Sequence, residues 1–167
     1  MNAIVAADQN WAIGKDNGLL FSIPTDMCRF RKLTTNGTVI MGRKTLDSLP
    51  GGRPLPKRRN IVLTHNPAFA REGVEFADNI EAALRMAVTE NPENVWVIGG
   101  ASVYAAMLGQ CQKIFLTRVL AEVEGADVFF PNLDADPAWR RLSVSQPVFE
   151  NGLRFQFVTY GRTPNLF

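Results

Sequence analysis

Residues 95–108 read VWVIGGASVYAAML. Four apolar residues of strand character run into two glycines, and apolar residues at helical spacing follow at once. A strand that ends in glycine and passes directly into a helix is the unit from which α/β domains are assembled. The same grammar recurs upstream at residues 39–45, VIMGRKT, where a buried-type strand meets one glycine and a basic helix start. Two such units in one short chain predict a mostly parallel central sheet flanked by helices.

Outward from these units, short apolar runs alternate with helical segments. Residues 2–7 (NAIVAA), 38–41, 61–63, 74–76 and 114–119 read as strands. Ile80, Ala83, Leu84 and Ala87 stand at i, i+3, i+4 and i+7, the spacing of an amphipathic helix that Asp78 or Asn79 can cap. Residues 8–24 form a long polar connection, and long ordered loops tend to carry function. A helix then starts at Pro24 or Thr25, with Asp26, Met27 and Phe30 along one side and Leu33 nearby. Prolines and glycines between 50 and 56 exclude regular structure until Asn60. At the C-terminal end, residues 142–149 and 153–160 predict an antiparallel hairpin across Asn151–Gly152. Leu153, Phe155, Phe157 and Thr159 alternate there against Arg154, Gln156, Val158 and Tyr160.

A length of 167 residues fits one domain, residues 1–167, with 161–167 as a C-terminal tail of unassigned role. The net charge of +2 is too small to indicate nucleic acid as a partner, though basic residues gathered at one groove suit an anionic small ligand. Cys28 and Cys111 lie far apart without metal-ligand spacing and read as small buried hydrophobes. The opening MNAIVAADQN lacks the basic start of a secretory signal, and no apolar run reaches membrane-spanning length. The expected address is the cytoplasm.

Three features carry candidate chemistry. The two strand–glycine–helix turns offer free backbone N–H groups at the positive end of a helix, a seat for phosphate, with Arg43 and Lys44 beside the first. Neither is a GxGxxG or Walker loop, so two tight connections that bind nothing are the plainer alternative. Asp26 is open to two readings as well. An acid on a first helical turn complements the dipole, whereas a carboxylate in an apolar cleft has its pKa raised and suits an acid catalyst. His65, the only histidine, has no partner in dyad or ligand spacing and reads as a surface residue or a phosphate contact. Phe21, Phe30 and Phe115 suit either a flat pocket or ordinary core.

Taken in order, the stretches IVAADQNWAIGKDNGL, IPTDMCRFRKLT, VIMGRKT, LPGGRPLPKRRNIVLT, VWVIGGASVYAAML, IFLTRV and AEVEGADVFFP resemble the dihydrofolate reductases from Ile4 to about Tyr160. The resemblance implies an NADPH-dependent enzyme of one-carbon metabolism that reduces 7,8-dihydrofolate by hydride transfer to C6, with protonation at N5. It also implies a target of antifolate inhibitors and a monomer. In its terms Asp26 binds the pterin 2-amino group and N3 and promotes the protonation through water, while Thr117 holds the carboxylate. Val5 and Ile98 offer carbonyls near the pterin, Met27 and Phe30 contact the substrate, and Leu49 and Leu55 wall the benzoyl pocket. Arg58 grips the glutamate α-carboxylate. For the cofactor the resemblance implies Ala6, Ala7, Ile13 and Gly14 near the nicotinamide. Gly99, Gly100, Ala101, Ser102, Val103 and Tyr104 stand at one phosphate seat, and Gly42, Lys44 and Thr45 at the other. Arg43, Leu63, Thr64 and His65 gather round the adenosine 2′-phosphate, with Ile98 also on the cofactor side.

The chain departs from the family pattern in three places. Leu20–Phe21 stands where Pro-Trp is usual, so Phe21 has no indole N–H near the proton path. Gly125–Ala126–Asp127 carries an extra residue in the segment that braces the loop near Asn17–Leu20, and the end runs on past 160. Two other functions compete. One is a pyrimidine reductase of riboflavin synthesis, which shares fold and cofactor but needs no Arg58. The other is an idle nucleotide-binding module, which has no use for Asp26 with Thr117.

Overall fold

The computed structural model describes residues 1–16, 18–66 and 70–164. In chain order the strands and helices are β1 (Asn2–Ala7), β2 (Ala12–Lys15), β3 (Gly18–Leu19), α1 (Pro24–Thr34), β4 (Thr38–Gly42), α2 (Arg43–Ser48), β5 (Arg59–Leu63) and β6 (Val74–Ala77). There follow α3 (Ile80–Ala87), β7 (Val95–Gly99), α4 (Ala101–Met107), β8 (Lys113–Val119), β9 (Val128–Phe129), β10 (Trp139–Val144), β11 (Val148–Glu150) and β12 (Leu153–Arg162). The elements fall into two compact units, one made of residues 1–3 and 30–111, the other of residues 4–29 and 112–167.

The first unit contains the parallel sheet expected from the two glycine-ended strands. Asn2 and Ala3 pair with Trp96 and Val97, β7 pairs with β4, β4 with β5, and β5 with β6, all parallel. Parallel strands buried on both faces read as continuous apolar runs, and Val39, Ile40 and Met41 are wholly buried together with Ile61, Val62 and Val97. Asn79 caps α3, its side chain accepting from the Ala82 N–H at 2.7 Å; of the two candidate caps, Asp78 is not the one used.

The second unit is antiparallel. β8 pairs with β12, and β12 also pairs with β10 and β11. A small sheet of β3, β2 and β9 stands apart from these strands. The connection 8–24 is therefore not open loop. Asp8, 3% exposed, organises it: Oδ1 accepts from the Asn10 and Ala12 N–H groups at 2.8 and 2.9 Å, and Oδ2 from the Val123 N–H at 2.9 Å. A short acidic residue that captures backbone donors in this way builds a turn with no apolar periodicity to announce it.

Two expectations at the C-terminal end are corrected. The hairpin across Asn151–Gly152 forms, but its first arm is two strands, since regular pairing stops at Val144 and resumes at Val148. And β12 does not keep one buried face: Phe155, Val158 and Tyr160 are all buried. Phe155 packs in a cluster with Ile23, Val119 and Phe21, while Tyr160 meets the Trp11 ring at 6.1 Å and donates to Asp134 at 2.8 Å. Both faces are covered, so simple alternation fails. Gly161 and Arg162 are still strand, paired with Arg140 and Trp139, so the expected tail begins only after them. Residues 165–167 lie outside the described residues.

Candidate active site

Helix α1 starts at Pro24, whose missing N–H costs nothing in a first turn. Glu150 of β11 takes the next donors: its carboxylate accepts from the Thr25 N–H at 3.0 Å and from the Thr25 hydroxyl. Asp26 follows on that turn and is partly buried. Its Oδ1 accepts a hydrogen bond of 2.5 Å from the Thr117 hydroxyl on β8. Thr117 is only 2% exposed, so its oxygen is held by the sheet rather than by solvent. Burial pushes the Asp26 carboxyl above the usual carboxylate range, and the Thr117 hydrogen bond and the Arg29 charge hold back part of that rise. The carboxyl is thus partly withdrawn from solvent and tied to the sheet, which an acid that only complements the helix dipole does not require.

In the same unit Val5, Ala7 and Ile13 are buried, with Ala6 half-buried. Phe21 packs on the Ile23, Val119 and Phe155 cluster. Met27, expected beside Asp26, is 57% exposed and its sulfur accepts from the Ser22 hydroxyl at 3.8 Å. The residue after Asp26 is turned about 100° round the helix, which takes it off the core-facing side. The segment around Gly125–Ala126–Asp127 is bonded to β2 and Asp16. Lys15 donates to the Glu124 carbonyl at 2.9 Å, the Asp127 N–H to the Gly14 carbonyl at 3.1 Å, and the Asp16 N–H to the Asp127 carboxylate at 3.3 Å. Asn17 itself lies outside the described residues.

The first unit holds the two glycine turns, and they are neighbours. A Cβ built on Gly42 would stand 4.0 Å from the Gly100 nitrogen and 3.2 Å from a Val103 methyl. One on Gly99 would meet the Thr45 hydroxyl at 3.4 Å and the Tyr104 ring at 3.6 Å, and the φ of +128° at Gly99 also favours glycine. The Gly99–Gly100 peptide is cis. Neither α2 nor α4 has a side-chain cap on its first N–H groups. Val103 and Tyr104 are buried behind the turn, and burial pushes the Tyr104 phenol far up; Ala101 is half-buried and Ser102 exposed. Lys44 is exposed, and Arg43 lies 3.9 Å from Asp47, both half-exposed. Thr64 and His65 line a shallow hollow with Asn66, Phe76, Ala77, Asp78 and Ala82, and Leu63 ends the strand beneath it. Arg43 does not line that hollow.

Phe30, Leu49, Leu55 and Ile98 are half-buried in the same unit. Arg58 lies 6.0 Å over the Phe30 ring, donates to the Thr34 hydroxyl and the Pro56 carbonyl at 3.0 Å each, and is made less basic by burial and by Arg31. Asn60, 2% exposed, clamps the approach: it donates to the Leu55 and Arg58 carbonyls at 2.9 Å each and accepts from the Leu55 N–H at 2.9 Å. Asn60, Thr34, Asp8 and Glu150 escaped the sequence reading, as did the partly buried Arg29. A polar residue at the head of an apolar strand was the available signal for Asn60; the others carry none that composition or periodicity reveals. Cys111 is buried as expected, but Cys28 is only partly so.

Comparison with known proteins agrees with this arrangement. The family model described as dihydrofolate reductase matches residues 1–162. The dihydrofolate reductase of Bacillus subtilis (strain 168) is 36% identical over 159 residues, 94% of this chain and 91% of that protein. The type 3 dihydrofolate reductase of Salmonella typhimurium is 37% identical over 97% of this chain and 98% of its own. A solved structure of dihydrofolate reductase from Enterococcus faecalis, complexed with NADP(H) and RAB-propyl, superposes with a TM-score of 0.85 at 33% identity, covering 98% of this chain and 96% of that one. Such agreement in fold and sequence places the chain among the oxidoreductases. It belongs to the dihydrofolate reductase family.

Proposed function

We propose that this chain reduces 7,8-dihydrofolate to 5,6,7,8-tetrahydrofolate with NADPH and one proton, the proton reaching N5 under the control of Asp26. The observation that carries the reading is the 2.5 Å hydrogen bond from buried Thr117 to a carboxyl whose proton affinity is raised by burial. A general acid works best with a pKa near the working pH, and burial moves a carboxyl that way. Asp26 is then the group that binds the pterin and manages its proton. Thr117 fixes the carboxyl, leaving Oδ2 toward the substrate, and Phe21 covers the apolar side. Arg58, pre-set by Thr34 and Pro56, receives the α-carboxylate of the glutamate tail in a fork that suits arginine; Phe30, Leu49, Leu55, Met27, Val5 and Ile98 make up the remaining substrate contacts.

The residues present fit NADPH. The neighbouring glycine turns leave a cradle that a Cβ at Gly42 or Gly99 would fill, with uncapped helix starts on both sides. Gly99, Gly100, Ala101, Ser102, Gly42, Lys44 and Thr45 would hold the pyrophosphate, with Val103 and Tyr104 packed behind. Thr64, His65 and Arg43 would take the 2′-phosphate, with Leu63 below; Ala6, Ala7, Ile13, Gly14 and Ile98 would orient the nicotinamide. NADPH when bound supplies the hydride. The chain's own part is alignment, exclusion of water and control of one proton. The same reading carries a monomer in the cytoplasm and sensitivity to antifolates that mimic the pterin.

Absorbance of NADPH, followed with and without dihydrofolate, tests the proposal directly. Folate-dependent loss of signal is expected. Oxidation with a pyrimidine intermediate of riboflavin synthesis but not with dihydrofolate would move the chain to the related reductases.

A further inference from the structure

Arg29 lies three residues beyond Asp26 on α1, so the two share a helix face. Its guanidinium stands 4.2 Å from the centroid of the Phe157 ring and 5.8 Å from that of Phe115. Nη1 is buried without a hydrogen-bond acceptor among the described residues, and the salt bridges of the described residues do not include Arg29. Burial makes the guanidinium less basic, and the Asp26 charge opposes that effect. For stability alone the arrangement is poor. A buried cation with an unanswered donor is costly, the ring contacts offset only part of it, and an unbranched apolar side chain would fill the same room without that cost. The charge calls for a reason other than packing.

We propose that Arg29 is a positioning residue for the reaction: its partly buried charge, held on the Phe157 ring and on the same helix face as Asp26, acts on the Asp26 carboxyl and so sets the pH range of proton delivery. This rests on the reading of Asp26 as the proton-managing group. The groups around that carboxyl leave the role to Arg29. From β8 it meets the neutral Thr117 hydroxyl. The acid on β11, Glu150, is engaged by Thr25, β12 presents the Phe157 ring to Arg29, and the remaining titratable residues of α1 are Cys28 and, in its last turn, Arg31 and Lys32. The cation that shares a helix face with Asp26 is Arg29, three residues on. Desolvation raises the proton affinity of the carboxyl, and a cation on the same face lowers it again.

The test is a carboxyl titration by carbon-13 NMR on the full chain, with the Asp26 signal assigned by its loss in Asp26→Asn. In Arg29→Met the carboxyl should titrate at higher pH than in the wild type, and the falling limb of the single-turnover hydride rate should move the same way. Arg29→Lys, which keeps the charge, should stay near the wild type. The melting temperature of Arg29→Met should be unchanged or higher, since a costly charge is removed; if that variant does not fold, Arg29→Gln serves the same titration. Coincident titrations of the wild type and the neutral variant would overturn the role of Arg29. A rate limb that persists in Asp26→Asn would instead overturn the acid reading, while the NMR titration still decides Arg29.

Discussion

The Asp26 region and the glycine-turn region solve opposite problems. Around Asp26 the chain keeps a partly buried carboxyl, tied to Thr117, with the partly buried Arg29 three residues on. Around Gly42, Gly99 and Gly100 it brings two backbone turns so close that a Cβ on Gly42 would stand 3.2 Å from a Val103 methyl and one on Gly99 3.4 Å from the Thr45 hydroxyl. On the proposed function, the first region works through protonation state and the second through shape. Substitutions in the first should therefore change how rate varies with pH, and those in the second should change affinity at every pH.

The largest effect belongs to Asp26→Asn. Turnover near neutral pH should fall about 100- to 10,000-fold, the range for removal of a positioned acid or base, with part of the rate recovered at low pH where the substrate is already protonated. The same variant should be the more stable protein at neutral pH. The folded-state pKa of Asp26 lies above the unfolded value of 3.8, so its contribution to stability is lost as pH rises through that window. Thermal melts of both proteins should therefore converge below it and separate above it. Equal melting temperatures at neutral pH would mean that the carboxyl is not strained by burial.

Gly99→Ala comes next. A side chain at a φ of +128° costs about 1–3 kcal/mol, and its methyl intrudes on the space beside Thr45. NADPH affinity should weaken about tenfold or more by fluorescence titration, without any change in the pH profile. Arg43→Ala should weaken NADPH about tenfold and leave NADH unchanged, a modest effect because Arg43 is half-exposed. Equal losses for both cofactors would take Arg43 away from the 2′-phosphate. The smallest effect is Thr117→Val. Turnover should fall only several-fold at neutral pH, but loss of the hydrogen bond that steadies the ionised carboxyl should move the rate limb to higher pH. A Thr117→Val profile that overlays the wild type would break the contrast between the two regions.

The two regions also differed in how far the sequence revealed them. Gly42 and Gly99–Gly100 were legible because a strand, a glycine and a helix start are local signals. Their proximity to each other was not, since nothing local records that β4 and β7 are neighbours. The parallel sheet was legible from apolar runs, and α3 from its spacing and its Asn79 cap. The antiparallel unit was harder to read. Its loop order depends on Asp8 capturing the Val123 N–H, 115 residues away, and its last long strand is covered on both faces, which erases alternation. Position alone left Asp26 between a dipole complement and an acid. The residues on which the proposed acid role rests, Thr117 and Arg29, could not be read from one helix: one lies 91 residues away and the other looks like any basic residue on a surface.

The most direct test of the central claim is the hydride-transfer rate under single-turnover conditions, measured across pH for the wild type and Asp26→Asn. The wild-type rate should fall as pH rises through one apparent pKa above the ordinary carboxylate range, and the Asn variant should be slow and lack that transition. The same transition in both proteins would show that Asp26 does not govern the proton.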